Sequence, residues 1–139
     1  KINPSTKTFQ ALRIFVNKEI SELINGITYA TKFLRPGGRL IVISFHSIED
    51  KIIKYYFSNF SKNRSNPSRY LPEDDENKFF LFENYNKKAF KPSRNEIIKN
   101  KPSRSAKLRF AIRSKKEFSY PSNLFQKFEK YLNIEDKNV

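Results

Sequence analysis

One stretch of sequence decides the fold class: Pro36-Gly37-Gly38-Arg39-Leu40-Ile41-Val42-Ile43-Ser44-Phe45-His46-Ser47-Ile48-Glu49-Asp50. The run from Leu40 to Ile43 has no polar alternation, which predicts a strand covered on both faces, as in parallel α/β sheets. Phe45-His46-Ser47 follows at the carboxyl end of that strand, where open α/β sheets bind ligands. Ser47 is the expected cap of the next helix, and Asp50 completes a capping-box pattern. The stretch therefore predicts an α/β domain.

Helices are predicted on both sides of this strand. The first has Ser5 or Thr6 as its cap, is bent or divided at Gly26, and continues to Leu34 before the Pro36 turn. Its apolar stripe comprises Phe9, Leu12, Val16, Ile20, Leu23 and Ile27. The second helix buries Ile48, Ile52, Tyr55 or Tyr56, and Phe60. A helix, a turn and a buried strand make half of a βαβ unit, so the chain is expected to be a piece of something longer.

The remainder of the chain predicts two further strands and two short helices. Residues 61–78 are expected to form a loop of variable length whose acidic run, 73–76, is a solvated patch. β-type sequence resumes between Phe79 and Phe90, Ser93 begins a short helix, and Ser122 caps a last one. Between Ala106 and Arg113 apolar and cationic residues alternate, which predicts a strand with one apolar and one cationic face. Residues 1–116 are thus the domain and 117–139 a tail with a short helix.

The charge balance points to a polyanionic partner. There are 28 Lys and Arg residues against 14 Asp and Glu, a net charge of +14. Such a balance is typical of proteins that bind nucleic acid, although a generally basic proteome would also produce it. The absence of cysteine excludes disulfides and thiolate metal sites, and the single histidine argues against zinc, so no metal is predicted. No apolar run approaches a membrane span, and the chain is expected to be cytoplasmic.

The positive charge is concentrated in one segment. Twelve Lys and Arg residues lie between Lys87 and Lys116, opposed only by Glu96. A phosphate-facing surface is therefore predicted, with a solvated basic face as the alternative. A membrane surface is a weaker candidate, because no helix combines a basic face with a strong apolar one. The predicted RNA-binding residues are Lys87, Lys88, Lys91, Arg94, Arg104, Ser105, Lys107, Arg109 and Arg113.

Little in the sequence identifies a catalytic group. His46 is the one side chain that titrates near neutral pH, and at a strand end it could contact a base, move a proton, or serve structurally. Ser44 and Ser47 are poor nucleophile candidates, because no Gly-x-Ser-x-Gly turn and no second histidine are present. Gly37-Gly38 enters the strand rather than leaving it, so it does not cradle a phosphate. No cofactor-binding motif is found in the chain.

Four blocks of the sequence, in order, resemble the carboxyl-terminal part of the RsmH (MraW) family, the bacterial 16S ribosomal RNA (cytosine-N4)-methyltransferases. They span Lys1 to about Ser114 and together are highly specific, although any one alone is weak. The blocks are Asn3-Pro4-Ser5-Thr6-Lys7-Thr8-Phe9-Gln10-Ala11-Leu12-Arg13-Ile14, Pro36-Gly37-Gly38-Arg39-Leu40 through Ser44-Phe45-His46-Ser47-Ile48-Glu49-Asp50-Lys51-Ile52, Lys91-Pro92-Ser93, and Arg104-Ser105-Ala106-Lys107-Leu108-Arg109.

The resemblance implies the carboxyl-terminal part of a class I, Rossmann-like methyltransferase with a mixed sheet. S-adenosyl-L-methionine would be the cofactor, and the substrate a cytidine of 16S rRNA in the small ribosomal subunit. Residues 39–45 would form the fifth strand, 79–90 would contain the sixth, and 106–113 would be the antiparallel seventh. The cofactor loop, the acidic ribose ligand and the catalytic loop would lie upstream of Lys1. The family usually has His where this chain has Asn3, which weakens any proton-carrying role there.

The resemblance also suggests which residues face the substrate. Ser44, His46 and Ser47 are expected to hold the target cytidine or its backbone, while Arg104, Lys107 and Arg109 contact phosphates. Thr8, Gln10 and Arg13 on the first helix are second candidates for the substrate pocket. Three alternatives stay open: a non-enzymatic RNA-binding module, an inactive fragment, and a basic domain that assembles only with protein. The oligomeric state and the identity of the catalytic residue are not predicted.

Overall fold

The computed structural model describes residues 4–62 and 79–136, which contain three strands, five α-helices and one 3₁₀ helix. The elements are α1 Pro4–Val16, α2 Glu19–Phe33, β1 Arg39–Ser44, α3 Ser47–Asn59, β2 Phe82–Tyr85, α4 Arg94–Lys99, the 3₁₀ helix Lys101–Ser105, β3 Lys107–Arg113 and α5 Ser122–Asp136. Of the predicted loop at 61–78, only Ser61 and Lys62 are described, and Asn3 and the acidic run lie outside the described residues. The chain forms two compact units, one from residues 4–29 with 120–136 and the other from residues 30–119.

The second unit is built on a three-stranded antiparallel sheet in the order β1-β3-β2. β3 pairs with β1 from Ser44↔Lys107 to Arg39↔Ile112, and with β2 on its other edge. The predicted mixed α/β class and the antiparallel last strand are therefore confirmed. The strand that follows the Gly37-Gly38 turn sits at one edge of the described sheet, and Gly37 has the positive φ of 79° that favours glycine.

β3 has the two unlike faces that the alternation predicts, and the structure shows which of them is covered. Its cationic side points inward, with Arg109 and Arg113 buried beside Ala111, whereas Leu108 and Phe110 are only half-buried. Alternation along a strand shows that two faces differ, but not which of them is covered. Here α3 packs against the sheet and gives Arg109 the Asp50 carboxylate, while backbone carbonyls such as those of Thr31 and Leu81 accept from Arg113, which makes the burial of both arginines possible.

Within residues 4–62 and 79–136 nothing covers the second face of the sheet, so the prediction that β1 is covered on both sides is wrong there. Ile41 is 58% exposed and Ile43 is 54% exposed. They pair with Phe110 and Leu108, and residues directly opposite in an antiparallel pair share a face. An apolar surface is thus presented on the side of the sheet away from α3.

Aromatic side chains fill the core between α3 and the sheet. Tyr56 and Phe57 of α3 both meet Phe82 edge-on, with ring centroids 5.4 and 5.3 Å apart. Such edge-to-face pairs add to the stability that comes from burial alone. Tyr56 also donates a hydrogen bond of 3.0 Å to Thr31 Oγ1. The buried side predicted for this helix is confirmed for Ile52 and Tyr56, and Phe57 joins them.

The first unit corrects the position of the break in the amino-terminal helix. The chain ends α1 at Val16 and restarts α2 at Glu19, and Lys18 between them has a left-handed φ of 50°. Gly26, the predicted break, lies inside α2 with open space around its α-carbon. A bidentate ion pair of Arg13 with Glu19 spans the break, with Nε 2.7 Å from Oε1. The break is therefore marked by a left-handed residue and an ion pair, neither of which local sequence predicts.

The break divides the predicted apolar stripe. Its α2 members Ile20 and Ile27 are buried, together with Ile24, which was not predicted, and so are Leu124 and Phe128 of the confirmed tail helix α5. The α1 part of the stripe is instead open, with Phe9 71% exposed. Along α1, Leu12 and Val16 are open in the same way.

A buried carboxylate connects α5 to the start of α2. Glu135 accepts hydrogen bonds from the backbone N–H of Ile20 at 3.0 Å and of Ser21 at 2.9 Å, and from the Ser21 hydroxyl. The first N–H groups of a helix have no partner within the helix. Glu135 therefore serves α2 as an N-cap from 114 residues away along the chain.

We predict that Tyr56 makes stability fall at high pH. Burial raises the pKa of Tyr56 from 10.0 to about 12, against the smaller lowering effect of its hydrogen bond to Thr31. The neutral ring is favoured in the folded state, so its contribution is full below about pH 10 and is lost as the pH rises toward about 12. Urea unfolding between those values should show a loss of roughly 2–3 kcal/mol that Tyr56→Phe lacks. An equal pH dependence in both proteins would contradict this assignment.

We predict that Glu135→Ala lowers the free energy of unfolding by about 1–3 kcal/mol, because two buried N–H groups at the start of α2 lose their acceptor. Urea unfolding followed by circular dichroism measures the loss. Glu129→Ala is the matched control, since Glu129 is an exposed carboxylate on the same helix. Similar effects of the two substitutions would show that Glu135 is not a cap.

Candidate nucleic-acid interface

The junction between β1 and α3 is closed by a capping box one residue earlier than predicted. His46, not Ser47, is the N-cap, and its Nδ1 accepts the Glu49 backbone N–H at 3.4 Å. Glu49 returns the contact, since its Oε2 accepts the backbone N–H of Phe45 at 2.9 Å and of His46 at 3.3 Å. His46 Nε2 also lies 3.1 Å from Glu49 Oε1. Glu49 therefore lies beside both ring nitrogens of His46, and Nδ1 is the one that accepts a hydrogen bond from it.

Because Glu49 completes the box, the Asp50 carboxylate binds two cations of β3. Oδ2 lies 2.9 Å from Lys107 Nζ, and Oδ1 lies 2.7 Å from Arg109 Nε. Burial alone would raise the pKa of Asp50, but hydrogen bonds and charges from Arg109 and Lys107 outweigh it and hold the pKa below its usual value of 3.8. Asp50 is therefore an anion at neutral pH, shared between two positive groups.

The segment after β2 is held along β3 by backbone pairing. Phe90 and Leu108 exchange two backbone hydrogen bonds of 2.9 Å. Asn86 accepts the Phe110 N–H at 2.5 Å and donates to the Lys88 carbonyl at 2.8 Å. This pairing sets Lys87, Lys88 and Lys91 beside the first residues of β3.

The segment before β3 supplies the opposite wall. Ser93 caps α4 by accepting the Glu96 N–H at 3.2 Å, as predicted for the start of this helix. The 3₁₀ helix that follows contains Pro102 and is fastened by Ser103, whose buried hydroxyl donates to the Asn100 carbonyl at 2.7 Å. Arg104 and Ser105 at its end are left exposed.

Two clefts form between these segments. One has a volume of about 300 Å³ and is lined by Phe45, His46, Ser47, Lys91, Arg104, Ser105, Ala106 and Lys107. The other, of about 380 Å³, is lined by Asp50, Lys87, Lys88, Ala89, Lys91, Lys107 and Arg109. Lys91 and Lys107 belong to both walls, so the two clefts are adjacent. We call them together the basic groove, whose accessible cations are Lys87, Lys88, Lys91, Arg104 and Lys107.

The structure brings together most of the residues predicted to bind RNA, and it separates others from the groove. His46, Ser47 and Ser105 join the five cations there. Arg109 lines the second cleft but is only 6% exposed, and it is committed to Asp50 and the Lys87 carbonyl. Arg94 is exposed on α4 and lines neither cleft.

Ser44 is not placed to touch a substrate. It is 2% exposed, and its hydroxyl lies 3.5 Å from the Lys107 carbonyl that it faces on β3. The prediction that Ser44 helps to hold a cytidine is corrected, because the last residue of β1 points to the covered side of the sheet.

Arg113 is also corrected, from an RNA contact to an internal one. Its side chain is 5% exposed, and its guanidinium donates to the carbonyls of Thr31 at 3.3 Å, Leu81 at 3.0 Å and Lys116 at 2.9 Å. It reaches both the carbonyl and the hydroxyl of Ser114 as well. Burial lowers the pKa of Arg113, opposed by the nearby Tyr56, but such a guanidinium stays charged at neutral pH.

The second candidates lie on α1, which belongs to the other compact unit. Thr8 and Arg13 are exposed and Gln10 is half-buried there. Arg13 is occupied by its ion pair with Glu19. Their part in a substrate site stays a prediction.

The sequence reasoning placed Phe45 at the ligand-binding end of β1, but it missed Asp50 as a residue of the groove. Phe45 is 57% exposed on the wall of the first cleft, and Asp50 anchors the cations of the second. The sequence does contain a feature that could have predicted this role of Asp50. An acidic residue just after one strand can form an ion pair with a cation at the start of the neighbouring strand. The feature became readable only once the Ser44↔Lys107 register was known.

The groove has the chemistry of a phosphate-binding surface. Its cations and serine hydroxyls can donate to phosphate oxygens, and an exposed aromatic ring can stack on a base. A third cleft of about 240 Å³ adjoins it and is mainly apolar, with Ile43, Phe90, Pro92 and Leu108 in its lining. Among residues 4–62 and 79–136, no helix is long and apolar enough to cross a membrane.

A strand that ends in a polar cluster with cations grouped beside it is a place where an α/β sheet can bind a polyanion. Comparison with protein families is more specific. Residues 1–114 match the model of the MraW methylase family. The chain belongs to this family, whose members are methyltransferases. The earlier resemblance is thereby confirmed.

Relatives with assigned names agree. The chain is 46% identical over 114 residues to "Ribosomal RNA small subunit methyltransferase H" of Agrobacterium fabrum, covering 82% of this chain and 33% of the relative. The proteins of that name from Bartonella bacilliformis and Ehrlichia canis are 47% and 46% identical, with 82% and 81% of this chain and 34% and 35% of the relative covered. The chain therefore spans about a third of the length of the relatives it matches.

We predict that Arg113→Lys lowers the free energy of unfolding by at least about 3 kcal/mol, because a lysine leaves several buried carbonyls without a donor. Thermal and urea unfolding measure the loss. Arg94→Lys makes the same exchange at an exposed site and should change stability by less than about 0.5 kcal/mol. A small effect at Arg113, with a large loss of RNA affinity, would restore it as an RNA contact.

Proposed function

We propose that this chain provides the RNA-binding side of an enzyme that methylates a cytidine of 16S rRNA at N4, with S-adenosyl-L-methionine as methyl donor. Family membership and the names of the relatives support methylation of small-subunit rRNA. The observation that carries the RNA side is the basic groove, which gathers five accessible cations at the carboxyl end of β1. Such an enzyme would act in the cytoplasm, where ribosomal subunits are assembled.

In this proposal the groove holds the nucleic-acid backbone and leaves the base free to be presented. Lys91 and Arg104 both line the first cleft, where they would bind phosphate. Ser47 and Ser105 on its walls add neutral hydrogen bonds, and Phe45 offers a stacking surface. His46 is best suited to fixing the strand–helix corner, because its Nδ1 caps α3 and Glu49 completes the capping box. No general base is assigned among these residues.

The basic groove does not fit S-adenosyl-L-methionine. The cofactor carries a positive sulfonium, which the surrounding lysines and arginine would repel. Its ribose hydroxyls are usually held by a free carboxylate, and the carboxylate in the groove, Asp50, is shared by Lys107 and Arg109. We propose that the cofactor is held by polypeptide outside the described residues. This agrees with the lack of a cofactor motif in the sequence.

A non-enzymatic RNA-binding module is the second candidate. The basic groove supports it directly, because the groove can bind RNA without any cofactor. The two candidates differ in a single respect, namely whether methyl transfer accompanies binding.

We predict that Lys91→Ala and Arg104→Ala each weaken binding of the 139-residue chain to a small-subunit rRNA fragment by about five- to tenfold, because each removes a phosphate contact. Fluorescence anisotropy at two salt concentrations measures this. Lys54→Ala is the matched control, since it removes an exposed lysine of α3 that lies outside the groove. Equal losses for all three variants would favour a diffuse charge effect over a groove.

Methyl transfer is tested with the product of the whole reading frame that encodes these residues. Incubated with labelled S-adenosyl-L-methionine and small ribosomal subunits, it should label N4 of a 16S cytidine, whereas the 139-residue chain should bind RNA but not the cofactor. RNA binding without labelling by the whole product would favour the non-enzymatic candidate. Cofactor binding by the 139-residue chain would refute the proposed division of the site.

A further inference from the structure

We propose that Asp50 is a positioning residue for RNA: it holds the ammonium of Lys107 on the wall shared by the two clefts, so that Lys107 and Lys91 contact neighbouring phosphates of a single strand. The inference rests on the proposed function in one respect, that RNA occupies the basic groove. It assigns an acidic side chain a favourable part in binding a polyanion.

Asp50, Lys107 and Arg109 form one cluster of ion pairs, and their side chains differ in exposure. The Lys107 side chain is 35% exposed, whereas those of Asp50 and Arg109 are 13% and 7% exposed. An ammonium has three donors, and one of them is directed at Asp50 Oδ2 at 2.9 Å. Lys107 is therefore the member whose remaining donors can reach a ligand in the groove.

The Asp50 carboxylate is itself firmly held. Arg109 donates to Oδ1 at 2.7 Å from the covered side of β3, and it also donates to the Lys87 carbonyl at 3.3 Å. His46 and Glu49 form the capping box at the start of α3, so Asp50 does not serve as a cap there. Its two carboxylate oxygens bind Lys107 and Arg109 instead. The same arginine thus anchors the carboxylate that positions Lys107 and the segment that carries Lys87.

Counting charges alone would predict the opposite role. An acid among cations repels phosphate, so its removal should tighten RNA binding. That repulsion is weak here, because the Arg109 guanidinium, 2.7 Å from Oδ1, already offsets the charge of the Asp50 carboxylate. A free lysine, in contrast, loses much rotamer freedom when it binds, and Lys107 has lost that freedom already through its contact with Asp50. Preorganisation therefore outweighs repulsion.

The test compares Asp50→Asn, Lys107→Ala and the double variant of the 139-residue chain. The probe is a mixed-sequence single-stranded RNA of about 12 nucleotides, long enough to cover such a groove. Anisotropy should show an affinity about tenfold lower for Lys107→Ala, with a salt slope reduced by about 0.7. Asp50→Asn should lower affinity by about three- to tenfold, and the double variant should match Lys107→Ala within about twofold. Lys54→Ala, outside the groove, should change affinity by less than about twofold.

Tighter binding by Asp50→Asn, additive effects in the double variant, or no RNA binding by the parent chain would each overturn the inference. If circular dichroism shows that Asp50→Asn does not fold, Asp50→Glu replaces it. This variant keeps the charge but moves the carboxylate by one methylene, so it should also weaken binding, and an unchanged affinity would overturn the inference. Methyl transfer is not measured, so its absence in the earlier assay would refute the proposed enzyme while leaving the coupling of Asp50 to Lys107 intact.

Discussion

The second unit depends on the burial of two arginines on the central strand. Arg109 and Arg113 lie on the covered side of β3, where an unpaired cation would cost several kcal/mol. Their partners come from every side: the Asp50 carboxylate, the carbonyls at the end of α2 and ahead of β2, and the residues just after β3. Each of these segments is held in place because it accepts hydrogen bonds from one of the two buried guanidinium groups.

The basic groove is a consequence of the same constraint. Once Arg109 has fixed Asp50, Lys107 two residues earlier lies on the same side of β3 but nearer to its open end. The half-exposed ammonium and the buried guanidinium share one carboxylate. The interior of the sheet and the surface that faces RNA are therefore parts of one electrostatic cluster, and a change in the core at Arg109 would be felt in the groove.

Sequence reasoning succeeded where a pattern has one structural meaning. The three strands, the short helix after Ser93 and the tail helix were predicted because period and turn residues determine them locally. It failed where the answer depends on distant partners. Alternation in β3 showed two unlike faces, but only the carboxylate and carbonyls from other segments decide that the cationic one is inside. Likewise, the left-handed Lys18 carries no glycine or proline signal, whereas Gly26 carried one and is helical.

The same distinction applies to the groove. The cluster of cations between residues 87 and 116 could be predicted from the sequence, and five of its twelve members are accessible in the groove. The sequence does not distinguish the accessible cations from the buried ones. Arg113 and Lys91 are both basic residues of the same segment, but Arg113 is buried and Lys91 is exposed because different groups surround them. The family relationship supplied the reaction class, but it did not identify which members of the basic segment are structural.

The contact between Glu135 and α2 also has a consequence for the order in which the protein forms during translation. The ribosome makes the acceptor for the Ile20 and Ser21 N–H groups only after all of residues 30–119 has been synthesised. Domains tend to fold as their residues emerge. The unit that contains the sheet can therefore fold before the first turn of α2 has its Glu135 acceptor. The unit that contains α1 and α2 is then the last to be completed.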